Sequence, residues 1–336
     1  MDLADMVSSG KASGNLSRLW WFPSRSELFM DHPEIFLLLL ATASGLPFGP
    51  TFVGYFREGF PFQEVATKIA AWSPDKPENV WELSGQFEGD IMLLPDQAGS
   101  SRNIIINEDT RWPNATLPYY IDPVFSEGER EIIMGALAEF NQTSCMRLVP
   151  YTANDEKKDK SLIDSLSITR SLPASGDEDE SRLFASKKEP ASYIWIQGEP
   201  TGCWSMVGRQ KGPGGQVVNL QRPGCVHHGV IVHEVLHALG FFHQQSAYNR
   251  DDYVDIIWDK IEKGKESNFH KYNSSLVTDF GVEYDYSSVM HYGRTAFSND
   301  GSDTIVPKDK DAKIGQRKKM SEKDLAKLMR SYCEQK

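Results

Sequence analysis

A chain of 336 residues is long enough for two domains or one elaborated domain, and 40% hydrophobic residues supply a real core. The net charge of −11 argues against a nucleic-acid partner, because no basic stripe is available to face phosphates. The Lys/Arg cluster "GQRKKM" reads as a solvated surface stretch.

Taken in chain order, the first feature is "IFLLLLATASGL" at 35–46. It is short for a bilayer span but suits the core of a signal peptide, and "ATA" at 41–43 offers small residues for cleavage. Signal cores lie near a chain start, so Met30 is read as the true start, 30–45 as the signal peptide, and 1–29 as a non-native or disordered extension. The rival reading is a signal anchor made by the long form. Secretion makes Cys145, Cys203, Cys225 and Cys333 readable as disulfides, since no two have metal-pair spacing; three pairings remain open. Asn114-Ala-Thr, Asn141-Gln-Thr and Asn273-Ser-Ser are compatible with glycosylation.

"TLPYYID" reads as a strand. "SEGEREIIMGALAEFNQTS" reads as a helix with Ser126 as N-cap and Ile133, Leu137 and Phe140 on one face. Residues 154–190, including "DEKKDKSLIDSL" and "ASGDEDESRLFASKKEP", carry both signs of charge and few aromatics, which predicts a disordered insertion or translated intronic sequence. "SYIWIQG" and "GQVVNLQ" are strands, and the pattern is α+β. Beyond residue 244 periodicity is weak until "SEKDLAKLMRSYC", a closing helix that brings Cys333 back to the core.

The densest chemistry is "HEVLHALGFFH", residues 233–243, which holds three of the eight histidines. On a helix, His233 and His237 lie four apart on one face, so their imidazoles can converge. Glu234 stands one step round, within reach of a water at that point. Gly240 accepts the positive φ of a helix C-terminus, letting the chain turn and return His243 to the first two. Three neutral nitrogens with an open fourth position define a catalytic zinc site.

HExxHxxGxxH, followed by "YDYSSVMHYG", resembles the metzincin metalloproteases, "SVMHY" resembles the astacin family, and "HQQSAYNRDD" from the third histidine on looks similar to some arthropod members. The resemblance covers 103–336. It implies a two-subdomain catalytic domain: an N-terminal mixed twisted sheet with two long helices, a largely irregular C-terminal part with a closing helix, and the zinc cleft between them. It implies Met290 as a floor below the metal, Tyr292 as a displaceable further ligand, and the pairs Cys145–Cys333 and Cys203–Cys225. It makes 46–102 a propeptide, with "FEGD" placing Asp90 on the open zinc position and Arg102–Asn103 as the activation bond. The edge for an extended peptide falls at "CWSM", with Trp204 and Met206 along the cleft; Trp204 reads equally well as core. A short link is usual where 154–190 stands.

The expected reaction is hydrolysis of an internal peptide bond by zinc-activated water, with Glu234 as general base and Tyr292 as donor to the oxyanion. The expected partners are protein or peptide substrates and an activating trypsin-like protease, with no membrane anchor in the secreted, mature form. One departure stands out: Gln244 occupies the position where the resemblance calls for a glutamate that meets the newly cut N-terminus. Gln244 cannot form an ion pair with that ammonium. A catalytically weak protein that binds a partner, and a zinc hydrolase acting on non-peptides, are the rival readings.

Overall fold

The computed structural model describes residues 61–73, 76, 78–93, 108–152, 192–210, 214–274 and 277–334. The leader, the 1–29 extension, Arg102–Asn103 and the 154–190 stretch lie outside them.

Helix α1 (Phe62–Ala70) turns Val65 and Ile69 inward, and a 3-10 turn follows at Val80–Ser84. After strand β1 (Thr116–Ile121), helix α2 (Glu127–Thr143) begins at a reciprocal cap. The Ser126 hydroxyl accepts from the Glu129 amide at 3.4 Å, and Glu129 Oε2 accepts from the Ser126 amide at 2.8 Å. Its buried residues Ile133, Ala136, Leu137 and Phe140 recur three and four apart, so one stripe faces the core.

Strands β2 (Arg147–Pro150), β3 (Ser192–Gln197), β4 (Cys203–Ser205) and β5 (Gly214–Leu220) join β1 in a five-stranded sheet of order β2-β1-β3-β5-β4. The pairs β1–β2, β1–β3 and β3–β5 are parallel, and β4 runs antiparallel along β5. Parallel neighbours need a crossover, which α2 supplies between β1 and β2. Helix α3 (His228–Ala238) packs beside α2, and Gly229 through Ala238 are all buried. Leu117, Ile194, Ile196 and Val218 of the sheet meet Leu137 and Phe140 of α2 and Val232 and Leu236 of α3 in one core.

Past α3 the chain is mostly turns, with a two-stranded ladder of β6 (Val254–Ile256) against β7 (Ile305–Pro307) and then helix α4 (Glu322–Tyr332). Val254, Ile261, Phe269, Tyr284, Tyr292 and Ile305 form a second core there. Cys145, just past α2, is bonded to Cys333 at the end of α4, across 188 positions. Cys203 on β4 is bonded to Cys225 ahead of α3, across 22 positions. In the chain-entropy account, closures of those lengths stabilise by roughly 5 and roughly 3 kcal/mol. The α+β architecture read from the sequence is the one observed.

Candidate metal centre

The site grows out of the end of α3. Gly240, at φ 101°, donates its amide to the His237 carbonyl at 2.8 Å, and the Phe241 amide reaches the Leu236 carbonyl at 3.0 Å. This pair of bonds closes a helix through a left-handed residue and satisfies its last carbonyls. The turn returns His243 to the face of α3 that carries His233 and His237, with ring centroids 4.8 to 5.3 Å apart. All three rings are buried. Each is anchored through Nδ1: His233 to the Val289 carbonyl at 2.8 Å, His237 to the Phe241 carbonyl at 2.7 Å, and His243 to Glu88 Oε2 at 2.9 Å. With the proton on Nδ1, each Nε2 points its lone pair at a common centre.

Into that centre projects Asp90. Its Oδ2 lies 3.0 Å from His233 Nε2, and its Oδ1 lies 3.3 and 3.4 Å from Nε2 of His243 and His237. Asp90 is carried by a tight turn in which Gln86 and Gly89 exchange amide-to-carbonyl bonds of 3.0 and 3.1 Å. Gly89 sits at φ 91°, and a Cβ there would come within 3.2 Å of the Trp81 carbonyl and 3.1 Å of Glu82 Cα. Past the turn the chain pairs with the free edge of β4 in parallel, through Ser205 N to Asp90 O and Met92 N to Ser205 O, both 2.9 Å.

The donor set fits a metal ion. One atom from each of Asp90, His233, His237 and His243 lies within 4.8 Å of the others. His237 Nε2, His243 Nε2 and Asp90 Oδ1 are buried without a hydrogen-bond partner among the described residues. Lone pairs facing a carboxylate in a dry pocket repel, and a cation between them resolves the conflict. Burial pushes the His233 imidazole down to about 4, against the pull of Asp90.

Glu234 follows His233 on α3, is fully buried, and has neither carboxylate oxygen hydrogen-bonded. Burial first, and the Asp90 charge second, raise its carboxyl well above the usual range. Tyr292 is buried, its ring centroid 4.7 Å from that of His243, and its hydroxyl donates to the Glu88 carbonyl at 2.6 Å. Met290 is buried in the turn below, where its carbonyl accepts from the Gln244 amide at 2.9 Å. The Gln244 side chain is met by the Lys327 ammonium, which donates to its Oε1. Trp204 and Met206 are buried with Met92 and Val217; here the indole is covered, with its N–H on Thr201 Oγ1 at 3.1 Å. All three sequon residues, Asn114, Asn141 and Asn273, are exposed. Asn141 bonds both the carbonyl and the amide of Leu148, at 3.1 and 2.7 Å.

Four residues at the site have no signal in the sequence reading. Trp81 stacks on His233 with centroids 4.1 Å apart and planes 14° apart. Gln245 Oε1 accepts from the Tyr292 amide at 3.2 Å. Asp324 on α4 accepts from Ser288 Oγ at 2.6 Å and from the Val289 amide at 2.9 Å, which fixes the turn holding Met290. Glu88 is the fourth. By resemblance only Asp90 of "FEGD" is assigned to the metal, and the role of Glu88 is identifiable only once the chain is folded.

A family model described as Astacin (Peptidase family M12A) matches residues 104–167 and 181–333. Zinc metalloproteinase nas-14 of Caenorhabditis elegans is 36% identical over 271 residues, which is 73% of this chain and 46% of that protein. Meprin A subunit beta of Rattus norvegicus is 36% identical over 248 residues, 73% of this chain and 29% of that protein. Among solved structures, high choriolytic enzyme 1, a hatching enzyme zinc-protease of the medaka Oryzias latipes, is 31% identical with a TM-score of 0.50, covering 72% of this chain and 98% of that one. The chain spans about half the length, or less, of the first two of these relatives.

Proposed function

The chain belongs to the astacin family of zinc metalloproteinases, and on that premise we propose that it is a secreted zinc endopeptidase held latent by its own Asp90. The observation that carries this reading is one carboxylate seated among three converging imidazoles, with the unpaired carboxyl of Glu234 beside them.

His233, His237 and His243 would hold the zinc, which when bound would supply electrophilic pull on a substrate carbonyl and a lowered pKa for water. Glu234 takes the proton of the attacking water and delivers it to the amine of the leaving half. Tyr292, once its hydroxyl is released from the Glu88 carbonyl, donates to the oxygen on which negative charge develops. The edge of β4, now paired with residues 90–92, offers main-chain groups to an extended peptide, with Trp204 and Met206 alongside. Asp90 excludes substrate and water from the same place. Cutting at Arg102–Asn103 by a trypsin-like protease is the proposed release. The signal reading of 30–45 and the two disulfides support secretion, where the exposed sequon residues Asn114, Asn141 and Asn273 would meet the glycosylation machinery.

The test is protein secreted from a start at Met30, trimmed with a trypsin-like protease, and assayed on a quenched peptide library with and without a chelator. Cleavage is expected only after trimming, is abolished by chelation, and falls by at least about 10²-fold in Glu234→Gln processed in parallel. Trimmed protein that binds zinc and cleaves nothing would sink the reading.

A further inference from the structure

The three imidazoles converge, yet they are not held alike. The carbonyls behind His233 and His237 belong to Val289 and Phe241, which lie on the same side of the proposed cut as the histidines themselves. Behind His243 stands Glu88, 155 positions away and on the other side of that cut.

Glu88 is built into its place. It is 1% exposed and held at φ 49°, an unfavourable backbone for a residue with a side chain. Its Oε2 faces His243 Nδ1 at 2.9 Å, its Oε1 accepts from the Tyr272 hydroxyl at 2.6 Å, and its carbonyl accepts from the Tyr292 hydroxyl at 2.6 Å. A carboxylate behind an imidazole fixes the tautomer that leaves the lone pair on Nε2 and makes that nitrogen a stronger ligand. A neutral carbonyl does the first and less of the second. His243 is thus the one histidine of the three whose second nitrogen rests on a charged group, and that group is in the propeptide.

We propose that Glu88 is a positioning residue for the metal: it orients His243 and strengthens it as a ligand. The latent chain therefore holds zinc more tightly than the processed chain by more than the Asp90 ligand alone accounts for. This rests on the zinc reading above. Processing then removes a ligand and also loosens the hold on a second one, so zinc is best acquired before the cut.

The test uses the full-length chain and reads zinc affinity by competition with a chromophoric chelator, with the absorption spectrum of the cobalt(II)-loaded protein as a second readout. Seating of the propeptide is followed separately, as protection of residues 61–93 from limited proteolysis. Glu88→Ala is expected to lose about 10- to 100-fold in zinc affinity and to shift the cobalt spectrum. Glu88→Gln keeps an oxygen acceptor for Nδ1–H and loses the charge, so it recovers part of the affinity and most of the spectrum. Tyr272→Phe removes the other partner of the Glu88 carboxylate without touching His243 and retains most of the affinity. Wild-type affinity in Glu88→Ala with the propeptide still protected overturns the proposal. So does an equal loss in Tyr272→Phe, which would assign the effect to loosening of the turn. Where Glu88→Ala loses that protection, Glu88→Gln decides, and wild-type affinity there overturns the proposal. If the wild-type chain binds no zinc, it is the zinc reading that fails.

Discussion

In the sheet half of the molecule, Ile133, Leu137 and Phe140 of α2 are buried against Leu117 and Ile194 of the strands, carbon on carbon. In the stretch from Arg250 to Met320 burial is reached by other means. Arg250, 3% exposed, donates to the carbonyls of Gln245 and Phe269. The Tyr286 hydroxyl meets the Tyr253 carbonyl at 2.7 Å, and Thr304 Oγ1 meets the Ala296 carbonyl at 2.7 Å. Tyr253 stacks on Tyr284 with centroids 4.6 Å apart. Where helices and ladders satisfy the backbone, side chains need only be apolar at the right interval. Where they do not, each buried carbonyl needs its own donor, and the donors come from residues with no common spacing.

The contrast can be broken by substitution. Phe140→Ala leaves a cavity in the sheet half and is expected to destabilise by about 3–5 kcal/mol. In the irregular half Arg250→Ala removes no large apolar group but strands two carbonyls, and about 2–4 kcal/mol is expected. Urea unfolding of the full-length chain with its disulfides intact measures both. An Arg250→Ala loss below about 0.5 kcal/mol would mean that the aromatic stack holds that half by itself.

A smaller effect sharpens the comparison at the surface. Hydrogen bonding to Arg222 holds the Glu129 carboxyl down at about 2, where 4.5 is usual. A depressed carboxyl stabilises the fold above its unfolded value and loses that contribution as pH falls through its folded one. The pair is partly exposed and is worth under about 1 kcal/mol. Stability curves of wild type and Glu129→Gln should therefore differ above pH 4.5 and converge toward pH 2. Curves that stay parallel across that window would remove the Arg222 pair as the cause.

The same division separates what is legible in the sequence from what is not. Ser126 and Glu129 announce the start of α2 because a reciprocal cap is a contact between residues three apart. His233 and His237 announce a shared face because one turn of helix separates them, and Gly240 announces the turn because few other residues tolerate its φ. Asp324 gives no such sign: read along the chain it is one more charge in an amphipathic helix, yet its carboxylate fixes Ser288 and Val289. Glu88 lies 155 positions from His243, and although it falls within "FEGD", nothing local ties it to that histidine. In the sequence Trp204 reads equally as cleft or core, and its cover in the fold includes Met92, a residue of the segment paired to β4.

The bond between Cys145 and Cys333 closes the chain into a ring through every residue from 145 to 333, the charged stretch at 154–190 included. A nick inside the ring leaves one covalent molecule, and its two pieces part only under reducing conditions. Asp90, Glu88 and Trp81 all lie outside the ring, on a tail attached through residues 94–144. One cut between Asp90 and the start of β1 severs the tail with no disulfide to retain it. The covalent topology thus sorts cuts into two kinds, those ahead of β1 that separate the tail and those inside the ring that leave the pieces tethered.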